Sequence, residues 1–190
     1  MGRVVVVEAP APIVTWAEAN EHLKLDGDTS QQAHVEALIA AATAHIDGPD
    51  GWLGRAIGVQ TLEFVTDGFG HGPIALPCRP IIDITSISYL DSAGAWQQLD
   101  SGAYELRGDE LGTAWGKSWP ATRVFRGRGD AVKVRYRAGY EETPAPIRVA
   151  ILLMIDDLYR HRGDVSSLNV TEVPMQATSS LLLQPFRVYA

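Results

Sequence analysis

The chain has one cysteine, Cys78, in 190 residues. That excludes an internal disulfide framework and fits a reducing compartment or indifference to redox. Long apolar runs are missing too. The opening MGRVVVVEAPAP holds one basic residue and four consecutive valines, too short for the apolar region of a secretory signal. No run approaches the ~18 residues that a membrane span needs. The expectation is a soluble chain, cytosolic at synthesis. Positive charge is also scarce. A formal net charge of −7 argues against general nucleic-acid affinity, because phosphate binding rests on Lys and Arg displacing counterions. What is present, 46% hydrophobic and 21% charged residues, describes a globular protein with one core or two small ones. It is long enough to bury a core without disulfides or metal.

The charge is unevenly spread. Residues 1–50 carry eight acids against Arg3 and Lys24, whereas residues 117–137 carry seven bases (Lys117, Arg123, Arg126, Arg128, Lys133, Arg135, Arg137) against Asp130 alone. Such asymmetry is the strongest compositional clue to an interaction.

Helical grammar opens the chain. Thr15-Trp16-Ala17-Glu18 has capping-box spacing and predicts a short helix to about Leu25. Asp26-Gly27-Asp28-Thr29-Ser30 is turn and cap chemistry. Val35, Leu38, Ile39, Ala42 and Ile46 then form a single apolar stripe at helical spacing. Asp47-Gly48-Pro49-Asp50-Gly51 stops that helix. From Gly58 to Gly139 the grammar changes. Glycine and proline recur every few residues, and Thr61–Thr66, Ile81–Leu90, Tyr104–Leu106 and Ala131–Ala138 are strand candidates, with a hairpin turn at Asp91-Ser92-Ala93-Gly94. Helical grammar returns at Pro146, a favoured first-turn proline. Ile147 to Arg162 reads as one helix, apolar on nearly every face as far as Ile155 and therefore expected to be mostly buried, against its own core or a neighbouring subunit. Residues 163–174 read as an exposed linker, and Leu181, Leu182, Leu183, Phe186, Val188 and Tyr189 belong to a hydrophobic tail.

The candidate sites are weak as chemistry. Asp26-x-Asp28-x-Ser30 matches the first ligands of a calcium loop, but Gln31 stands where its glycine belongs and Ala37 where its glutamate belongs. His34 and His45 are about three helical turns apart and cannot share a metal. A helix-turn-helix reader fails because Lys24 is the only base between Val4 and Gly54. Ser118 in Gly-Lys-Ser-Trp lacks the upstream glycine of a phosphate loop, since residue 111 is Leu. Gly127-Arg128-Gly129-Asp130 reads as a turn before a strand. Cys78 has no evident activating partner, and Asp156 and Asp157 point about 100° apart on a helix. No enzyme, cofactor or metal site is expected. The segment VKVRYR differs: alternation puts Val132, Val134 and Tyr136 on one face and Lys133, Arg135 and Arg137 on the other. Those cations are either a solvated outer face that discourages edge pairing or a contact for an acidic surface such as Glu18, Glu21, Asp26 and Asp28 of an adjacent copy. The hydrophobic tail likewise either folds back onto its own core or anchors a partner.

Several segments together carry a family resemblance. VTWAEANEHLKLDGD leads into VEALIAAATAHID, followed by GWLGRAIGVQTLEF and LPCRPIIDITSISYLDSAGAWQQL. The pattern closes with VKVRYRAGYEETPAPIRVAILLMIDDLYRHRGD and the apolar tail. From about residue 13 to 188 the chain resembles the head–tail connector, or adaptor, proteins of long-tailed bacteriophages and related gene-transfer particles. The features that carry it are the helix pair, Arg-x-Ile-x-x-Gln-Thr (Arg55 to Thr61), Tyr-x-Ala-Gly-Tyr (Tyr136 to Tyr140) and Pro-Ala-Pro-Ile-Arg-x-Ala-Ile-Leu (Pro144 to Leu152).

The resemblance implies an α+β fold, a small bundle of three to four helices with a β-rich module inserted between the second and third long helices. The implied organisation is an extension at 1–12, a helical core at 13–57 and 140–162, the β module at 58–139, and a linker and tail at 163–190. It implies a structural role in a homo-oligomeric, typically dodecameric ring beneath a portal, which extends the DNA channel and docks a tail or stopper protein. DNA would pass without specific binding. Residues Leu181, Leu182, Leu183, Phe186, Val188 and Tyr189 become the expected portal contact. The chain would assemble in the host cytoplasm and end at the head–tail junction of the virion, with no membrane partner. Another head- or tail-completion role, or a packaging factor binding DNA through 117–137, is the alternative.

Overall fold

Period-two alternation over Val132–Ala138 has a direct structural outcome in the computed structural model, which describes residues 2–122, 129–161 and 177–189. Val132, Val134, Tyr136 and Ala138 are buried, while Arg135 and Arg137 are exposed. This strand sits at the middle of an antiparallel sheet. The strands are β1 (Arg3–Glu8), β2 (Gln60–Thr66), β3 (Ile74–Ala75), β4 (Ile81–Leu90), β5 (Trp96–Gln98), β6 (Tyr104–Arg107), β7 (Glu110–Thr113) and β8 (Val132–Ala138). Five of them lie in the order β1-β2-β8-β4-β5, and a second, three-stranded sheet runs β3-β7-β6. The helices among the described residues are α1 (Trp16–Leu23), α2 (Gln32–Ile46), α3 (Ala145–Arg160) and α4 (Ala177–Leu183). The fold is α+β, as expected from the sequence.

The chain divides into two compact units, one made of Met1–Ala11 and Arg55–Glu141 and the other of Pro12–Gly54 and Glu142–Ala190. In the sheet unit, Leu62, Ile87, Val132, Val134 and Tyr136 from the larger sheet share a core with Leu76 and Leu111 from the smaller sheet and its approach. Phe69 extends it by stacking on Trp119 with centroids 4.6 Å apart. The Tyr136 hydroxyl, carried into this apolar interior, donates to the Pro77 carbonyl at 2.9 Å, so its burial leaves no unmade hydrogen bond. The Asp91–Gly94 turn joins β4 to β5: the Asp91 N–H donates to the Ala95 carbonyl at 2.9 Å and the Gly94 N–H donates back to Asp91 at 3.0 Å. The residues at 1–12, read only as an extension, contribute β1, paired antiparallel with β2.

In the helical unit, α1, α2 and α3 pack on one another, and α4 packs on α3. The stripe read in α2 is the face that is buried, through Val35, Ile39, Ala42 and Ile46, with Leu38 half-buried. Helix α3 begins at Ala145 with Pro146 in its first turn. Ile147, Ala150, Ile151 and Ile155 are buried at i, i+3, i+4 and i+8, the others between them are half-buried, and only Val149 of 147–155 is exposed, at 45%. One face therefore meets the core of this chain. The described helix ends at Arg160; Arg162 and the 163–174 linker lie outside the described residues.

Replacing Ile151, which is fully buried, with Ala is expected to lower unfolding stability by about 2–5 kcal/mol. Val149→Ala should change it by less than about 1 kcal/mol. Urea unfolding midpoints at unchanged slope measure both.

Candidate assembly surfaces

The acidic helix pair is built from caps. Thr15 and Glu18 close the predicted box: the Glu18 N–H donates to Thr15 Oγ1 at 3.3 Å, and the Thr15 N–H donates to Glu18 Oε2 at 2.8 Å. The other Glu18 oxygen pairs with the Arg148 guanidinium, tying α1 to α3. The Thr15 backbone N–H, with smaller help from the Thr15 hydroxyl and Arg148, holds the Glu18 carboxyl below its ordinary value. Asp28 caps a short 3₁₀ turn at Thr29–Gln31: its Oδ1 accepts from the Ser30 N–H and its Oδ2 from the Ser30 hydroxyl, both at 2.9 Å. Asp26 and Gly27 supply the left-handed turn, with φ of 50° and 80°. Asp26, Asp28 and Glu21 are exposed. The aspartates serve as turn and cap, and among the described residues no group of three His, Cys, Asp or Glu is placed to hold a metal.

The cationic face of β8 already has partners in its own sheet. Arg135 donates to Glu63 on β2 at 2.9 Å. The Arg137 guanidinium forks onto Asp83 of β4, with Nε 3.0 Å from Oδ2. Arg137 thereby holds the Asp83 carboxyl below its ordinary value. The Lys133 ammonium lies 4.8 Å from the centre of the Trp96 ring on β5. Glu21, Asp26 and Asp28 make none of these contacts. Of the other bases in 117–137, Lys117 is exposed, while Arg123, Arg126 and Arg128, together with the start of the Gly127–Asp130 turn, lie outside the described residues.

The hydrophobic tail folds back onto the helical unit. Leu183 is fully buried, and the Val188 N–H donates to the Leu53 carbonyl at 2.9 Å. Arg187 lies over Trp52, 4.2 Å from the ring centre. Leu182, Phe186 and Val188 are half-buried, whereas Leu181 is 75% exposed and Tyr189 67% exposed. The tail therefore divides into anchors on its own unit and apolar side chains offered to solvent.

Two sequence motifs far apart in the chain meet. Arg55, which opens Arg-x-Ile-x-x-Gln-Thr, donates to the hydroxyl of Tyr140, which ends Tyr-x-Ala-Gly-Tyr, at 2.6 Å. Beside them Gly139, at φ 120°, runs so close that a Cβ there would stand 2.2 Å from the Gly58 carbonyl oxygen. Only glycine fits that approach. These motifs close the sheet unit. A shallow depression of about 370 Å³ lies beside Thr85, Ser86 and Tyr104. Its one carboxylate, Asp100, is engaged by the Gly102 N–H at 2.7 Å. Asp156 pairs with Arg160 and Asp157 with His161, each one turn along α3. Sequence reasoning missed Arg148 and Trp96. An arginine in a first helical turn and a tryptophan after a hairpin turn carry no periodic signal that names a partner.

No protein-family model matches the chain, and no curated protein matches it. Solved structures do. The chain is similar to one in the neck of an empty GTA particle computed with C6 symmetry, at TM-score 0.68 and 18% identity, over 99% of this chain and 96% of that one. It is similar to a chain of the virion of a native gene transfer agent (GTA) particle, at TM-score 0.69 and 20% identity, over 98% and 96%. It is also similar to a chain in the neck of a native GTA particle computed with C12 symmetry, at TM-score 0.63 and 18% identity, over 98% and 96%.

Because Glu18 is held below its ordinary 4.5, its contribution to stability is present above that pH and is lost as pH falls through the lower folded value. Glu18→Gln is expected to flatten the decline in stability below about pH 4.5, while Thr15→Ala costs about 0.5–2 kcal/mol at neutral pH. Thermal melts from pH 3 to 7 read both effects.

Proposed function

We propose that this chain is a head–tail connector subunit. Copies of it form a ring, twelve-fold when assembled, beneath the portal of a tailed-phage or gene-transfer particle, extend the DNA channel, and offer a docking surface to a tail or stopper protein. The observation that carries this reading is the match of fold over nearly the full length of both chains to the GTA neck chains, at TM-scores of 0.63 and 0.68. A fold kept end to end at 18% identity fits a role set by shape and packing. A net charge of −7 suits a channel that must not hold DNA.

A head-to-tail ring needs two complementary patches on each subunit. The acidic residues Glu18, Glu21, Asp26 and Asp28 and the cations Lys133, Arg135 and Arg137 are the candidate pair. Arg135 and Arg137 would have to share their charge with Glu63 and Asp83, so the expected contribution per contact is small, about 0–1 kcal/mol. The exposed Leu181 and Tyr189 are the candidate portal contact, on a tail anchored by the buried Leu183.

Light scattering and negative-stain imaging of the purified chain, alone and with the portal ring from the same genome, test the reading. A ring, free or on the portal, is expected; a monomer that ignores the portal at every salt concentration refutes it. Lys133→Gln with Arg135→Gln and Arg137→Gln should weaken ring formation and reduce its salt dependence if that patch joins subunits. Leu181→Asp is expected to abolish portal binding with stability changed by less than about 0.5 kcal/mol, whereas Leu183→Ala should destabilise the chain by about 2–5 kcal/mol.

A further inference from the structure

The two edges of the five-stranded sheet are not alike. The β5 edge is three residues long, its Trp96 lies under Lys133, and its Gln97 side chain donates to Asp91 at 2.9 Å. The β1 edge is six residues long and reads Arg-Val-Val-Val-Val-Glu, with Val5, Val6 and Val7 39%, 41% and 46% exposed. No described strand pairs with its outer side. An edge of β-branched residues with no internal charge or proline is a template for another strand.

Its end charges say which strand fits. Arg3 pairs with Val65, Val5 with Glu63, and, after a bulge between Val6 and Glu8, Glu8 pairs with Thr61. Directly paired residues share a face, and these β2 partners oppose Lys133, Arg135 and Arg137 of β8. The bulge therefore brings Glu8 onto the same outer face as Arg3, where simple alternation over five residues would have separated them. A second β1 laid antiparallel, with its outer face continuing the first, brings Arg3 of each copy to the end that carries Glu8 of the other. A parallel copy would set like charges together. Arg3 takes part in none of the described ion pairs, and among the described residues Glu8 accepts from the Thr61 hydroxyl, at 3.2 Å.

We propose that two free copies of this chain join through their β1 edges as an antiparallel, two-fold pair. Such a pair closes on itself, so it cannot build a ring, and it stands or falls separately from the connector reading. Its small area belongs to the weak class of interfaces, with a dissociation constant on the order of 10 µM.

Sedimentation equilibrium of the full chain between roughly 1 and 100 µM is the test, with circular dichroism confirming that each variant folds. A reversible dimer is expected. Arg3→Glu alone, or Glu8→Arg alone, should weaken it roughly tenfold, since each reverses two contacts per dimer. The double variant Arg3→Glu with Glu8→Arg should restore it to within about threefold. Val5→Lys should leave a folded monomer. A monomer throughout, a dimer indifferent to the single charge reversals, or a double variant no better than the singles overturns the proposal.

Discussion

The sheet unit depends on the placement of β8. This strand is hydrogen-bonded along its whole length to β2 on one side and to β4 on the other, so its register sets theirs. A slip of one residue would turn Val132, Val134 and Tyr136 to solvent and drive Arg135 and Arg137 into the core. The cost of that slip is large on both counts: apolar area exposed at roughly 25 cal/mol per Å² and guanidinium groups buried without water. With β8 fixed, Tyr136 reaches the Pro77 carbonyl and Ala138 leads into a close backbone approach, Gly139 over Gly58. The Arg55–Tyr140 contact follows from that approach. Residues that look like recognition motifs in the sequence are thus consequences of closing one strand against two others.

That dependence explains which parts were legible. Alternation in β8 and the stripe in α2 are local patterns with a single buried face, and both elements form where the pattern puts them. The Thr15–Glu18 box is legible for the same reason, since both partners lie within one turn. β1 was not. Four consecutive valines have no alternation, and only pairing with β2 makes them a strand. β3 and β7 are short and meet each other through Ile74 and Leu111, a pairing that no local signal encodes. The face of α3 carrying Val149 shows the opposite case: the residue is apolar, but within this chain no described element covers it fully. Composition reports what could be buried, whereas burial is decided by neighbours far away in the chain.

The charges follow the same logic. Read along the chain, Lys133, Arg135 and Arg137 are a block of one sign; read across the sheet, each lies beside an acid or a ring supplied by another strand. Cross-strand pairing offsets two of these three charges with acids and sets the third against a ring. Any contact between these cations and another subunit must then compete with Glu63 and Asp83, and exposed pairs gain little to begin with. Shape and apolar contact, not net charge, have to supply most of the energy of an assembly built from this chain.

Among the apolar surfaces left exposed in the described residues, two differ in what they can bind. Leu181 and Val149 stand on helices, whose backbone groups are satisfied internally. They can gain only from side-chain burial, and any complementary apolar pocket would serve. The β1 edge carries unpaired backbone donors and acceptors as well as valines, so its partner must be a strand, and the charges at its two ends set that strand's direction. Helical side chains can therefore accept different partners, while a strand edge selects by geometry. A chain carrying both has a non-specific means of docking and a directional means of pairing, located in different units of the fold.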